Sequence, residues 1–257
     1  MTKSTKDTNM TDLSGKVAII TGGGTGIGRG VALSLAQNGA RVVVCGRRQA
    51  PLDETLSAIA QALGLDDSAD NLPLAVQADV SDETQVNRLV QTALSTFGSV
   101  DILVSNAGIS GGGQIHAHDV STWDRILEVN LRGPFLMARA VLPLMRAQQH
   151  GHIIHISSES ALEHYAGDGA YGVSKHALNA LGEYIQRENQ ELGIRVDTVC
   201  PGMLVTEMTQ NSPGLDHEKC LYPDDIAELV LWLLTRRPNI KIGTPILIQT
   251  MENPWES

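Results

Sequence analysis

The sequence predicts an α/β fold: one doubly wound parallel sheet of about seven strands, with helices on both faces and no second domain. Three observations predict it. Apolar runs bounded by turn residues alternate with stretches of helical periodicity along the 257-residue chain, and repeated β-α alternation builds a parallel sheet. Several runs are continuous rather than alternating, as strands covered on both faces require. Hydrophobic residues make up 42 % of the chain, enough for one large core, and no linker composition interrupts it.

The elements follow in order. Residues 1–13 are mostly polar and predict a flexible arm ahead of a domain spanning 14–257. Val17-Ala-Ile-Ile20 is the first strand, and a helix at 26–38 is entered through glycines. Arg41-Val-Val-Val-Cys45 is the second strand, followed by a helix at 52–63, just after Pro51. Gly64 to Asn71 is acidic and poor in apolar residues, so it reads as a surface loop. Leu74-Ala-Val-Gln77 leads to a helix at 82–97, and Ile102-Leu-Val-Ser105 to a long helix at 121–148. Strand 153–157 leads to a helix at 169–192, and strand 195–200 to a helix at 224–235. Pro245-Ile-Leu-Ile-Gln249 is the last strand. Pro134 has no N–H for the carbonyl of Asn130, so the long helix should kink there. The freed carbonyl then needs another partner, and buried water is the natural one.

Composition excludes several classes. A net charge of −10 leaves no electrostatic footprint for nucleic acid or anionic membrane. No apolar run approaches a membrane span, and no signal-peptide pattern opens the chain. Cys45, Cys200 and Cys220 are odd in number and widely spaced, which fits reduced core thiols in a cytoplasmic protein better than disulfides. His116 and His118, and His150, His152 and His155, have no companion Cys pair or HExxH helix, so no metal site is expected.

Two motifs carry chemistry. Thr21-Gly-Gly-Gly-Thr-Gly-Ile-Gly-Arg29 follows a buried strand and opens a helix. Gly22 suits a sharp turn, Gly26 a close approach of backbone to pyrophosphate, and Gly28 tight packing of helix on strand. The helix N-terminus adds N–H donors and partial positive charge. Second, Tyr171 and Lys175 lie four residues apart, with Ser158 thirteen before the tyrosine. On a helix these two share a face, and a neighbouring ammonium favours phenolate, so Lys175 should lower the Tyr171 pKa toward usable values. Alternation along the strand should point Ser157 away from Ser158. Tyr165 has no lysine four residues later.

With these residues the chain resembles the short-chain dehydrogenase/reductase superfamily, whose fold is Rossmann-like. The resemblance covers roughly residues 14–208. It rests on Thr21-Gly22 with Gly26 and Gly28, Asp79, Asn106-Ala-Gly108, Asn130, Ser158, Tyr171, Lys175, and Pro201-Gly202 with Thr206. It implies an enzyme that interconverts a carbonyl and a secondary alcohol by hydride transfer from a nicotinamide cofactor. Tyr171 would be the general acid/base, Lys175 its partner and a ribose ligand, and Ser158 the donor to the carbonyl oxygen. Asn130 would hold a water extending the proton relay. Gly22, Thr25, Gly26, Ile27 and Gly28 would bind the dinucleotide. Asp79 and Val80 would border the adenine, although unaided Asp79 reads equally well as a turn or cap residue. Asn106, Ala107 and Gly108 would border the cofactor and support the sheet. Pro201, Gly202 and Thr206 would flank the nicotinamide.

The end of the second strand reads Cys45-Gly-Arg-Arg48, with no carboxylate to accept a ribose 2′-OH. Arg47 and Arg48 suit a 2′-phosphate, so NADP(H) is favoured over NAD(H). Two solvated arginines are the plain alternative, and Thr25 stands where some NADP-preferring relatives carry a basic residue. Residues 207–222 read as a lid, with Met203, Leu204 and Val205 as an apolar wall. Ser110, Gln114, Ser160, Leu162, His164 and Tyr165 are further pocket candidates. Helices 169–192 and 131–145 carry more apolar surface than one sheet face needs, which suggests a homo-oligomer. Relatives commonly form tetramers, but the C-terminal sequence departs from theirs, so a dimer stays open. An NAD-dependent enzyme and a non-catalytic dinucleotide-binding regulator are the alternatives.

Overall fold

A computed structural model describes residues 12–66 and 72–255. Residues 1–11 of the expected arm and 67–71 of the expected acidic loop lie outside them. The chain runs β1 (Val17–Thr21), α1 (Gly26–Gln37), β2 (Arg41–Gly46), α2 (Gln49–Leu63), β3 (Leu74–Gln77), α3 (Glu83–Phe97) and β4 (Ile102–Ser105). It continues through α4 (Val120–Leu127), α5 (Gly133–Gln148), β5 (Gly151–Ile156), α6 (Gly169–Asn189), β6 (Ile194–Pro201), α7 (Pro223–Leu234) and β7 (Ile246–Ile248). The seven strands form one sheet in the order β3-β2-β1-β4-β5-β6-β7. Every neighbouring pair is parallel.

Pleating sorts the strand residues into two cores. Ala18, Ile20, Val42, Val44, Val104 and Ile154 pack with α1, α2 and α7 on one face. Ile19, Val43, Leu103, Ile153 and Val196 pack with α3, α5 and α6 on the other. Leu103 and Ile153 are fully buried, and each such side chain contributes about 1.5–3 kcal/mol over its exposed state. Both faces are covered, so the central strands carry apolar side chains on both. That is the physical origin of the continuous runs in the sequence.

Local chemistry sets the boundaries. Helix α2 starts at Gln49 rather than Leu52, because first-turn N–H groups have no intrahelical partner and Pro51 therefore costs nothing there. Asp82 caps α3 by accepting from the N–H groups of Thr84 and Gln85. The expected single helix at 121–148 is corrected. It divides into α4 and α5 around one π turn, Glu128–Arg132, in which the Gly133 N–H donates to the Glu128 carbonyl five residues back. An extra residue is thus inserted just before Pro134, where the ordinary ladder already lacks a donor.

Strand order reverses direction between β1 and β4, so loops leaving the carboxyl ends of these strands diverge and leave a crevice. Thr21–Gly22, Ser105–Asn106, Ser157–Ser158 and Pro201–Gly202 all leave the sheet at that edge.

Candidate active site

The glycine loop is held by side chains from both flanks. The Thr21 hydroxyl accepts from the Asn106 and Ala107 N–H groups at 2.9 and 3.0 Å. The Asn106 amide donates to the Thr21 and Gly22 carbonyls at 2.9 and 3.2 Å. Thr55 of α2, which the sequence reading missed, is fully buried and donates to the Gly23 carbonyl at 3.0 Å. Gly22 and Gly26 have φ of +65° and +52°, a region costly for other residues. A Cβ on Gly28 would stand 2.2 Å from the Gly22 carbonyl oxygen. The Thr25 side chain makes no cap bond to α1, so the helix N-terminus faces the crevice with its own donors. Backbone without side chains beside a helix N-terminus is the cradle a dinucleotide pyrophosphate requires, and the residues present fit that group. Gly28→Ala should displace the loop and weaken dinucleotide binding by about tenfold or more, since a shift near 1 Å is enough for such losses. Equilibrium titration checks this.

The catalytic candidates converge from three elements. Ser158 lies just beyond β5, close enough to Tyr171 on α6 for its side chain to favour the phenolate. The Ser157 hydroxyl instead donates to the Lys175 carbonyl at 3.2 Å. The Lys175 ammonium is buried, donates to the Ile156 carbonyl at 2.9 Å and sits 5.5 Å from the centre of the Tyr171 ring. Burial lowers the Lys175 pKa to about 8. The expectation that Lys175 brings Tyr171 down is corrected. Burial of the hydroxyl end pushes Tyr171 up to about 12, which outweighs the lowering by Ser158, while Asp168, Cys200 and Glu159 push it further up. Desolvation and these neighbours disfavour phenolate more than Ser158 favours it. At neutral pH Tyr171 therefore holds its proton.

Asn130 is fully buried in the π turn. Its side chain accepts from the Ile109 N–H at 2.9 Å and donates to the Ile109 carbonyl at 2.9 Å and to Ser174 at 3.0 Å. It thereby ties the chain after β4 to α6. A Cβ on Gly108 would lie 3.4 Å from Asn130 Oδ1 and 3.5 Å from Lys175 Nζ, so that glycine lets the three segments close together.

Asp79 follows β3. Its carboxylate accepts from the Ser81 N–H and hydroxyl at 2.9 and 2.7 Å and from Arg125 at 2.6 Å. Burial alone would raise its pKa, but Ser81 and the Arg125 guanidinium hold it below the usual carboxylate range. Val80 is buried beside it. Arg125, on α4, has no local sequence signal. At the end of β2, Arg47 and Arg48 are exposed. Arg48 pairs with Glu207 at 2.8 Å, a contact the sequence reading did not foresee.

On the far side, the Gly202 N–H donates to Ile248 at 2.7 Å, and a Cβ there would lie 3.0 Å from the Glu159 carboxylate. The Thr206 and Thr209 hydroxyls are 3.2 Å apart. Leu204 bridges Leu221, and the Asp216 N–H donates to Pro254 at 2.9 Å, so the expected lid is anchored near its C-terminal end and along its length. Tyr165 is half exposed and lies beside Glu159, whose carboxyl is raised by burial. The Asp168 carboxyl is also raised by burial, against the lowering influence of Ser160. All three cysteines are free and buried. Among the described residues no cluster of His, Cys, Asp and Glu is arranged to hold a metal. His150 pairs with Asp101 and His152 with Asp197, each at 2.7 Å. His155 departs from the expected ordinary hydrogen bonding, since neither ring nitrogen has a partner among the described residues.

A seven-stranded doubly wound sheet with this glycine loop and a Ser158-Tyr171-Lys175 group defines a Rossmann-like oxidoreductase. The sequence model of the short chain dehydrogenase family matches residues 16–214. The chain belongs to that family and is an oxidoreductase. An uncharacterized oxidoreductase of Staphylococcus aureus is 34 % identical over 234 residues, covering 91 % of this chain and 97 % of the relative. A metagenomic short-chain oxidoreductase solved with NADP is 32 % identical at a TM-score of 0.79, covering 93 % of this chain and 99 % of that one. An alcohol dehydrogenase of the archaeon Thermococcus sibiricus, solved with 5-hydroxy-NADP, is 27 % identical at a TM-score of 0.82, covering 94 % and 98 %.

Proposed function

We propose that the protein is an NADP(H)-dependent oxidoreductase that interconverts a carbonyl and a secondary alcohol. The observation that carries this reading is the Lys175 ammonium 5.5 Å from the centre of the Tyr171 ring, with the Ser158 side chain acting on the same phenol. When bound, the nicotinamide supplies or receives the hydride. The protein's own residues place the substrate and move the proton. Ser158 and Tyr171 present two hydroxyls to one carbonyl oxygen. As negative charge grows on that oxygen, Tyr171 gives up its proton and Ser158 stabilises what remains. Lys175 stabilises the developing phenolate. A phenol at about 12 is suited to giving a proton to an alkoxide, which favours the reducing direction. Asp79 and Val80 border the adenine, and Asn106 to Gly108, Pro201, Gly202 and Thr206 line the dinucleotide.

NADP(H) is supported by the absence of a carboxylate at the end of β2, by Arg47 and Arg48 there, and by NADP compounds in two similar solved structures. Residues 14–257 act as one cytoplasmic domain, and the enzyme is a homo-oligomer, a tetramer with a dimer as the alternative. Phe135 on α5, and Val173 and Tyr184 on α6, support assembly because each keeps about half or more of its surface exposed.

The test is a fluorescence titration of the purified protein with NADPH and NADH, followed by a screen of carbonyl compounds. Tighter binding of NADPH with carbonyl-dependent oxidation supports the reading. Tighter NADH binding would move the assignment to NAD(H), and binding of neither would end it.

A further inference from the structure

We propose that Glu207 is a cofactor-specificity residue: its carboxylate, carried on the loop after β6, competes with the 2′-phosphate of NADP(H) for Arg48 and moderates the preference over NAD(H). This rests on the reading of the site given above. Glu207 Oε2 lies 2.8 Å from Arg48 Nη2, a contact across 159 positions of sequence. The preceding residue explains the reach. Thr206 Cγ2 would lie 3.4 Å from a Cβ on Gly26, so the loop after β6 rests against the glycine loop. Its next side chain extends to the end of β2. A phosphate bound there would meet the Arg48 guanidinium and the Glu207 carboxylate together.

Charge sets the direction. A phosphate carries close to two negative charges and only accepts hydrogen bonds, so it repels Glu207 and must draw Arg48 away from it. A ribose 2′-OH is neutral and donates, so it tolerates a carboxylate or bonds to it. Glu207 thus acts against NADPH and not against NADH. It supplies from the lid the acid that the end of β2 lacks. The Arg48 and Glu207 side chains are 67 % and 55 % exposed, so water screens their attraction and the effect is limited. Such pairs change an equilibrium by at most about fivefold.

The experiment is a double-mutant cycle on the full chain, with Kd for NADPH and NADH measured for wild type, Glu207→Gln, Arg48→Gln and the double variant. Circular dichroism of each checks the fold. The expected result is NADPH binding about two- to fivefold tighter in Glu207→Gln with NADH unchanged or slightly weaker. The gain should vanish in the Arg48→Gln background. An unchanged NADPH-to-NADH ratio in Glu207→Gln overturns the proposal, as does a gain that survives without Arg48. Wild type that binds NADH alone defeats the NADP(H) assignment yet still tests Glu207, because Glu207→Gln must then bring NADPH closer to NADH. Binding of neither dinucleotide by wild type overturns both.

Discussion

Tyr171→Phe is expected to cut kcat for carbonyl reduction by about 10²- to 10⁴-fold, the usual contribution of a positioned general acid, while dinucleotide binding is retained. The substitution removes one oxygen and leaves the ring that Lys175 faces at 5.5 Å, so packing of α6 should survive. Ser158→Ala should be damaging but leave proton transfer in place, with a loss of about 10²- to 10³-fold, as for removal of one donor to an oxyanion. Steady-state kinetics with NADPH and any accepted carbonyl measure both. A Phe variant within tenfold of wild type would end the assignment of Tyr171 as acid. The pH profile adds a second reading of the same group. Tyr171, with its pKa near 12, stays protonated through neutrality, so reduction should be level there. Lys175 loses its charge above about 8. The phenolate left by proton transfer then loses its cation, and reduction should decline on the alkaline side. Alcohol oxidation needs phenolate at the start, so its rate should climb with pH where reduction does not.

What could be read in the sequence was what depends on near neighbours. Tyr171 and Lys175 are legible because the helical repeat fixes their shared face. Ser158 is separable from Ser157 because only Ser158 stands thirteen residues before Tyr171. Gly22, Gly26 and Gly28 are legible because backbone conformation and close approach restrict a position to glycine. The contacts that escaped notice join distant segments: Arg125 to Asp79 across 46 positions, Arg48 to Glu207 across 159, and Thr55 to Gly23 across 32. No periodicity encodes them. The π turn was visible only as its cause, Pro134, because an inserted residue and a kink are two solutions to one missing donor. The shift of Tyr171 was misjudged for a related reason. A charge four residues away can be read from spacing, whereas desolvation is set by everything packed around the hydroxyl.

Stability should fall as pH drops from about 6.5 toward 4, and His155 should account for much of the loss. This residue lies on β5, is fully buried, and has no partner for either ring nitrogen among the described residues. A Cβ on Gly182 of α6 would lie 3.2 Å from its ring, so the imidazole is packed against that helix. Burial, with help from the Lys175 charge, lowers its pKa to about 4. The unfolded chain takes up this proton near 6.5 while the folded one refuses it, so each step down in pH favours the unfolded state until about 4, below which both are protonated. The full cost is on the order of 3 kcal/mol, a large share of a typical domain's stability. His152, also lowered by burial, acts in the same direction. Glu159 and Asp168 act oppositely: raised in the folded state, they are protonated there first and add stability as pH falls past them. His155→Leu separates the contributions. It replaces a desolvated polar ring with an apolar side chain of similar size, so at pH 7 it should be neutral or stabilising. Its urea midpoint should then lose most of the wild-type decline between pH 6.5 and 4. An equal decline in the variant would place the acid sensitivity elsewhere, with His152 and its partner Asp197 the next pair to test.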